Sequence, residues 1–169
     1  MTQKQSQILI FGAGNIGRGL MGQLAASAGW NPVFVEACEP FRRELAKAAK
    51  YGVRLVGRDP QSYLVDRFEV LSPQDRSQIA QTVAQCRFAV ASVGGQHLSA
   101  VAAMLVKGLV QRSEPLNILL CENWPKADEV MNQAMIREGG PERVLCETCN
   151  FNENDRAMNL SLEAYNAYL

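Results

Sequence analysis

The sequence predicts a doubly wound α/β fold, in which a mainly parallel sheet carries helices on both faces. Strand-like segments are almost unbroken apolar runs, such as "QILIF" at 7–11, and segments with helical spacing separate them. Continuous apolar strands are typical of parallel sheets that are buried on both sides. The chain has 169 residues, of which 47% are hydrophobic and 20% are charged. It is therefore long enough to bury one core.

The predicted elements alternate along most of the chain. Apolar runs predict strands at 7–11, 32–36, 88–94, 116–123 and 143–147. Helical spacing, with start and stop signals, predicts helices at 15–29, 39–52, 72–86, 97–112 and 125–140. In the first helix the apolar positions are Ile16, Leu20 and Leu24. In the second helix Pro40 marks the first turn and Gly52 follows the end.

Two segments depart from this alternation. The β-branched pieces at 53–57 and 63–70 predict a small hairpin-type elaboration. Residues 148–169 are polar, rich in asparagine and weakly patterned. They are either a helix on the surface of the domain or the start of a further domain in a longer parent protein. We therefore predict one domain over 1–147 and a C-terminal extension over 148–169.

The charge balance excludes several classes of partner. Lys plus Arg and Asp plus Glu both number 17, so no net field attracts nucleic acid or an anionic membrane. No apolar run approaches the roughly 20 residues that a membrane helix requires. The polar start "MTQKQSQ" does not resemble a secretory signal. These features predict a cytoplasmic protein and leave its oligomeric state open.

The cysteines predict neither disulfides nor a metal site. Their number is odd, and they are scattered at positions 38, 86, 121, 146 and 149. Cys146 and Cys149 form a C-x-x-C pair, but a zinc site requires a second pair of ligands and His97 is the only histidine. A redox pair would open a helix in a thioredoxin-like unit, and "VLCETCNF" has no such context. We therefore interpret the pair as two incidental thiols.

A glycine-rich turn follows the first strand. Gly12, Gly14 and Gly17 form G-x-G-x-x-G between strand and helix. The first glycine permits a tight turn, the second lets a pyrophosphate approach the backbone, and the third lets the helix pack close to the strand. The N-terminus of the helix then receives the phosphates. The pattern predicts a Rossmann-type domain whose cofactor contacts include Gly12, Ala13, Gly14, Asn15, Ile16 and Gly17.

Glu36 ends the second strand, about 20 residues after the third glycine. A carboxylate at this position accepts hydrogen bonds from the ribose diol and repels a 2′-phosphate, so the sequence favours NAD over NADP. The alternatives are a solvated charge at the strand end or an acid near the first turn of the next helix. Arg42 and Arg43 could serve NADP, but they fall inside a predicted helix, where surface charge is the more ordinary use.

Two further strands end at the same predicted edge of the sheet. "SVGG" (92–95) adds Val93 and Gly94 to the expected cofactor contacts, and "CEN" (121–123) adds Asn123. The Asn123 amide either contacts a substrate oxygen or the nicotinamide, or it caps the helix that begins near Pro125. His97 is a proton shuttle, a phosphate neighbour or a plain surface residue.

Three segments occur in an order that resembles a known family. They are "FGAGNIGRGL" (11–20), "LVKGLVQR" (105–112) and "PLNILLCEN" (115–123). The first is far more specific than a generic glycine pattern. Together they resemble the polyol-specific long-chain dehydrogenases, over approximately residues 8–145.

The resemblance implies an NAD-dependent cytoplasmic oxidoreductase. Such an enzyme transfers a hydride between NAD and a secondary alcohol of a linear sugar alcohol, which is often phosphorylated. The three glycines and Glu36 match the cofactor positions of the family. The resemblance also implies that Asn123 is a catalytic residue, whose amide helps to stabilise the oxyanion of the substrate.

The chain departs from the family in one large respect. Family members continue into a mostly helical domain with a catalytic lysine in a Lys-x4-Asn-x2-His pattern, which this sequence lacks. We therefore expect the cofactor-binding half of a dehydrogenase, as an excised or truncated domain that is inactive by itself. A stand-alone NAD-binding module that senses redox state or docks to a partner is a second hypothesis. An S-adenosylmethionine-dependent transferase is a third.

Overall fold

The computed structural model describes residues 6–55 and 60–140, together with the backbone of 146–148. The strands are β1 (Gln7–Phe11), β2 (Asn31–Val35), β3 (Tyr51–Leu55), β4 (Gln61–Val65), β5 (Glu69–Leu71), β6 (Phe88–Ala91), β7 (Asn117–Leu120) and β8 (Cys146–Thr148). The first helix has a π-helical segment, Asn15–Gly22, and continues as α1 (Gln23–Ser27). The other helices are α2 (Glu39–Ala48), α3 (Arg76–Gln85), α4 (Leu98–Leu109) and α5 (Ala127–Arg137).

Six strands form one parallel sheet in the order β5-β2-β1-β6-β7-β8. Leu9 in β1 pairs with Val33 on one side and with Ala89 on the other. The strand order reverses between β1 and β6. The chain adds β2 and β5 on one side of this pair, and it adds β7 and β8 on the other side. In open α/β sheets, ligands bind outside the carboxyl ends of the strands at such a reversal.

Helices cover both faces of the sheet, as predicted. Successive residues of β1 point to opposite faces. Leu9 and Phe11 are buried in the cluster that includes residues of α3, α4 and α5, whereas Ile8 and Ile10 are buried with residues of the first helix and α2. The predicted α/β fold class is therefore confirmed. No helix within the described residues is long and apolar enough to span a membrane.

The first helix uses a different face from the one that its large apolar residues suggest. Leu24 is 49% exposed, while the buried positions include Gly17, Gly19, Gly22 and Ala25. The helix lies so close to the sheet that a side chain at Gly22 would collide with the Phe34 ring. Only small residues fit this contact, and the larger ones are displaced to the side.

Helix α2 and the segment 63–70 differ from the sequence predictions. Helix α2 ends at Ala48, four residues before Gly52, because Ala49 adopts the left-handed conformation (φ 54°) and Gly52 belongs to β3. The segment 63–70 is not one strand of a hairpin. Strands β3 and β4 do form the predicted antiparallel pair, but β5 joins the main sheet beside β2.

An aromatic cluster attaches the β3–β4 hairpin to the sheet. The Tyr51 and Phe68 ring centroids are 5.3 Å apart, and Phe68 also lies 6.0 Å from Phe34 in edge-to-face geometry. The Tyr51 hydroxyl donates a hydrogen bond to the Arg18 carbonyl (3.2 Å). Edge-to-face pairs of this kind contribute about 0.5–1.5 kcal/mol beyond the area that they bury.

None of the cysteines in the described part of the chain forms a disulfide. Cys86 and Cys121 are buried and Cys38 is exposed. Burial raises the pKa of Cys86 to about 11, so this thiol is protonated and unreactive at neutral pH. The Cys146 side chain and all of Cys149 lie outside the described residues. So does nearly the whole of 148–169, with the two interpretations that the sequence left open there.

Arg112 joins α3 to the segment before β7. Its Nη1 donates to the carbonyls of Val83 and Cys86, at the C-terminal end of α3. Its Nε and Nη2 donate to the carbonyls of Glu114 and Pro115. The last carbonyls of a helix have no partner within it, and a cation at a helix C-terminus also interacts favourably with the helix dipole. The guanidinium fork therefore holds two loops together.

We expect Arg112→Lys to destabilise the chain, because an ammonium group cannot reproduce four hydrogen bonds in a planar fork. Loss of hydrogen bonds from a charged donor predicts a decrease of about 1.5–3 kcal/mol in the free energy of unfolding. Urea denaturation monitored by circular dichroism measures it. The control is Arg137→Lys, since Arg137 is exposed and bonds only to the Gln133 carbonyl of its own helix among the contacts described. Equal stability of the two variants would contradict the assigned role of Arg112.

Candidate functional site

A cleft lies at the carboxyl edge of the sheet, where the strand order reverses. Its cavity has a volume of about 480 Å³. This volume falls within the usual range for small-molecule sites. Residues that follow β1, β2 and β6 form its floor, and residues at the start of α4 form one wall. The lining comprises Phe11, Gly12, Gly14, Val35, Glu36, Ala37, Cys38, Pro73, Ser92, Val93, His97, Ala100, Val101 and Met104.

The three glycines of the turn have distinct surroundings. Gly12 adopts φ +88°, and a Cβ there would overlap the Ser92 carbonyl. A Cβ at Gly17 would overlap the Gly12 carbonyl. Gly14 has open space within 4 Å of the position that a Cβ would occupy. The first and third glycines therefore permit close backbone packing, while the second faces the empty cleft.

The first helix begins directly after this turn. Asn15 is its first residue, and the Arg18 N–H donates to the Gly14 carbonyl (2.9 Å). Its first turn contains no acidic residue, so no side chain there opposes a bound anion. The opening N–H groups of a helix lack partners within it and carry the positive end of the dipole. This end can receive a phosphate group.

Glu36 connects the second strand to the glycine-rich turn. One carboxylate oxygen accepts the Ala13 N–H (2.9 Å) and the other accepts the Cys38 N–H (2.7 Å). Glu36 is half-buried, and it precedes α2, whose first-turn acid is Glu39. The carboxylate is thus bound to backbone at the cavity floor, and each oxygen retains a lone pair for a further donor. The predicted contact with ribose stays a prediction.

The two candidate NADP arginines lie in α2, as expected. The Arg42 Nη1 donates to the Glu36 carbonyl (3.0 Å), and Arg43 forms an exposed ion pair with Glu39. Neither arginine is among the residues that line the cavity.

Glu122 is a functional candidate that the sequence analysis missed. It follows β7 and is only 5% exposed. Its Oε1 accepts the N–H groups of Val93 (2.6 Å) and Gly94 (3.0 Å), and its Oε2 also accepts from Gly94 (3.0 Å). Desolvation by burial raises the pKa of Glu122, although the two backbone hydrogen bonds and the nearby His97 lower it. The available signal was an acid directly after the apolar run of a buried strand.

Asn123 lies beside Glu122 and is exposed. The expectation that it caps a helix is wrong. Helix α5 begins at Ala127, two residues later than the sequence predicted, and its N-cap is Lys126 in the left-handed conformation (φ 56°) without a side-chain bond. Asn123 is absent from the cavity lining, so the structure brings Gly12, Gly14, Glu36 and Val93 together without it. Its predicted contact with substrate or nicotinamide stays a prediction.

His97 lines the cavity and is exposed. Its backbone N–H donates to the Gly94 carbonyl (2.9 Å), which closes a short turn before α4. Its charge acts on Glu122. The three interpretations of His97 made from the sequence remain open.

A second, smaller cavity lies on the other side of the turn, with a volume of about 190 Å³. Asn15, Arg18 and Tyr51 are among its lining residues. The Arg18 Nε donates to the Ala13 carbonyl (2.7 Å), and its guanidinium lies 4.7 Å from the Phe41 ring centroid. Arg18 therefore fixes the outer side of the turn, a role that the sequence did not indicate. Ile16 packs into the core beneath the first helix. Among the described residues, no group of potential ligands could hold a metal ion.

Comparison with known sequences identifies the relatives of the chain. The family model "Mannitol dehydrogenase Rossmann domain" matches residues 6–155. A mannitol-1-phosphate 5-dehydrogenase from Arthrobacter sp. (strain FB24) is 33% identical over 135 residues, which are 78% of this chain and 35% of the relative. The enzyme of the same name from Geobacillus thermodenitrificans (strain NG80-2) is 32% identical over 147 residues. These are 82% of this chain and 38% of that relative. The chain thus spans little more than a third of the length of these relatives.

Solved structures share the fold at low sequence identity. A glycerol-3-phosphate dehydrogenase from Coxiella burnetii superposes with a TM-score of 0.58 and 12% identity, over 85% of this chain and 40% of that one. A UDP-glucose dehydrogenase from Pyrobaculum islandicum superposes with a TM-score of 0.57 and 14% identity. The match covers 99% of this chain and 45% of that one.

These findings agree with the geometry of the turn and with the resemblance to polyol-specific long-chain dehydrogenases, which is confirmed. The chain belongs to the mannitol dehydrogenase family and carries its Rossmann domain.

Proposed function

We propose that the chain is the NAD-binding domain of an oxidoreductase that transfers a hydride between NAD and a secondary alcohol of a sugar alcohol or sugar-alcohol phosphate. The observation that carries the proposal is the Glu36 carboxylate, bound to the Ala13 N–H at the floor of a cleft that is open at Gly14. A ribose diol requires such an acceptor and a pyrophosphate requires such a space next to it, which supports the proposal.

The chemistry of the cavity fits a dinucleotide along its length. The helix N-terminus and the bare backbone at Gly14 suit the pyrophosphate. Glu36 suits the ribose diol. Pro73, Val101 and Met104 supply an apolar surface for the adenine. NAD supplies the hydride acceptor when bound, while the residues of this chain bind and orient it.

Charge at the ribose end favours NAD over NADP. The Glu36 carboxylate would repel a 2′-phosphate, and the described residues that line the cavity include no arginine or lysine to offset the repulsion. Arg42 is directed to the carbonyl of Glu36, and Arg43 pairs with Glu39. NADP would therefore bring two negative charges towards a carboxylate.

Asn123 is the proposed catalytic amide, on the strength of the family resemblance. Its exposed position next to β7 leaves it accessible to a substrate at the mouth of the cleft. The reaction also requires a general base, which the resemblance places in a second domain. A cytoplasmic location for the protein remains part of the proposal.

An NAD-binding sensor or interaction module without catalysis is the alternative function. It shares the cleft, the glycine-rich turn and Glu36, and it differs only in having no substrate. The two functions are distinguished by the parent sequence. Continuation of the reading frame into a helical domain with the Lys-x4-Asn-x2-His pattern would favour the dehydrogenase over the sensor. A transferase that uses S-adenosylmethionine requires no pyrophosphate site and is disfavoured by the open space at Gly14.

We expect Glu36→Ala to weaken NAD binding by about 10- to 100-fold, because it removes a charged acceptor for the ribose. The preference for NAD over NADP should narrow at the same time, since the repulsion of the 2′-phosphate disappears. Isothermal titration calorimetry with both cofactors measures the two affinities. Glu39→Ala, an exposed acid three residues later, is the matched control. Parallel changes in both affinities would leave Glu36 with a structural role only.

We expect Gly14→Val to abolish NAD binding and to retain the fold. The open space within 4 Å accommodates the side chain in the absence of ligand, and the side chain then fills the path of the pyrophosphate. Calorimetry checks binding and circular dichroism checks the fold. Gly52→Val is the control, because Gly52 also has open space around it but lies in β3. A folded Gly14 variant with normal NAD affinity would exclude the turn as the phosphate site.

We expect the 169-residue chain to bind NAD and NADH without reducing NAD in the presence of mannitol 1-phosphate or free hexitols. A general base contributes about 10²–10⁴ in rate, and orientation of the substrate contributes up to about 7–11 kcal/mol. Absorbance of NADH at saturating cofactor measures turnover. Turnover at the rate of an ordinary dehydrogenase would show that the chain holds its own base, with His97 the first residue to substitute.

A further inference from the structure

Glu122 is the one acidic residue buried among the described residues, and the proposed cofactor contacts do not include it. A carboxylate at 5% exposure loses most of its hydration, and burial of a charge is costly unless hydrogen bonds replace the water. Here backbone N–H groups replace it. The interaction therefore joins two loops by backbone hydrogen bonds to a buried charge.

The partners of Glu122 are the first backbone groups after β6. The Val93 N–H donates to Oε1 at 2.6 Å, and the Gly94 N–H lies 3.0 Å from both oxygens. Gly94 has φ +90°, so the chain turns sharply here and leaves the ladder of the sheet. Val93 lines the cavity. The carboxylate thus fixes the orientation of peptide groups that form the cavity wall.

A second contact joins the same two loops. The ring of Trp124 packs against Gly95 so closely that a Cβ at Gly95 would overlap it. The last ladder bond between the strands runs from the Cys121 N–H to the Ala91 carbonyl (2.8 Å). Beyond that bond, the contacts of Glu122 and Trp124 hold together the two loops that follow β6 and β7. Asn123 lies between these two residues.

We propose that Glu122 is a positioning residue, which through its ionised carboxylate fixes the Val93–Gly94 backbone beside the dinucleotide cleft. This inference rests on the proposed function for its link to NAD. The hydrogen bonds themselves require no cofactor.

We call the hydrogen bonds from the Val93 and Gly94 N–H groups to Glu122 the clamp. The clamp depends on the protonation state of Glu122. Burial raises its pKa, so protonation begins at a higher pH than for an exposed glutamate. The protonated carboxyl has an O–H donor in place of one acceptor and opposes the Gly94 N–H. Among the described groups, His97 at the start of α4 is the titratable residue whose charge acts on Glu122, and it favours the ionised form.

The test compares Glu122→Gln with the unchanged chain. Glutamine keeps one oxygen for Val93 and Gly94, presents an amide N–H₂ in place of the other oxygen, and does not titrate. We expect the variant to bind NAD about tenfold more weakly at neutral pH, with an affinity that falls less on acidification than that of the unchanged chain. The affinity of the unchanged chain should fall towards that of the variant as the pH is lowered, and this fall should begin at a higher pH than the protonation of an exposed glutamate. Glu114→Gln, at an exposed acid before β7, is the control.

Hydrogen exchange of the Val93 and Gly94 amides, measured without NAD, tests the clamp separately. Both amides should exchange faster in Glu122→Gln than in Glu114→Gln, and faster in the unchanged chain on acidification after correction for intrinsic rates. Unchanged protection in both comparisons would overturn the inference, as would equal NAD affinities of the two variants. Failure of the unchanged chain to bind NAD would contradict the proposed function, while the exchange data would still decide the clamp. If Glu122→Gln does not fold, the pH series on the unchanged chain decides it.

Discussion

The close approach of backbone to backbone around the glycine-rich turn is the constraint on which the rest of the site depends. Gly17 contacts the Gly12 carbonyl and Gly12 contacts the Ser92 carbonyl, without room for a Cβ at either position. The first helix is therefore held against β1 and β6, and its N-terminus opens directly onto the cleft. The same closeness explains why the fully buried positions of the π-helical segment are the glycines Gly17, Gly19 and Gly22. A larger side chain at Gly12 or Gly17 would move the helix dipole away from the place where a phosphate can reach it.

Two carboxylates stabilise the loops on either side of the reversal in strand order. Glu36 follows β2 and reaches inward to the Ala13 N–H after β1, while Glu122 follows β7 and reaches inward to the N–H groups after β6. Each acid thus follows a strand that flanks the central pair β1 and β6. It binds backbone N–H groups that follow the neighbouring strand of that pair. Loops at the end of a sheet have N–H groups beyond the last ladder bond, and a buried donor without a partner is costly. The two acids supply partners that belong to the protein, so both loops are ordered before any ligand arrives.

The part of this arrangement that follows local rules could be predicted from the sequence. Continuous apolar runs predicted the strands of the parallel sheet. The spacing of three glycines with Glu36 predicted the turn and a dinucleotide as its ligand. Long-range packing could not be predicted in the same way. The periodicity of Ile16, Leu20 and Leu24 identified a helix but not the face that it buries, because that face is determined by its distance from the sheet. The pairing of β5 with β2 and the contact between Phe68 and Phe34 both join residues that lie far apart in sequence. Glu122 resembled any acid after a strand, and only its burial shows that it binds backbone.

Cofactor recognition and chemistry draw on different parts of the molecule. The described residues that line the cleft include several that follow β1, β2 and β6, and Glu36 and Glu122 bind backbone N–H groups beside them. Asn123, by contrast, is exposed and makes no contribution to the cavity lining. A group at the mouth of a cleft contributes to turnover only when substrate and base are held opposite the nicotinamide, and that orientation is worth far more than one hydrogen bond. Under the proposed function, the affinity for NAD is a property of this domain, whereas the rate of hydride transfer depends on the substrate and the base that face its open edge.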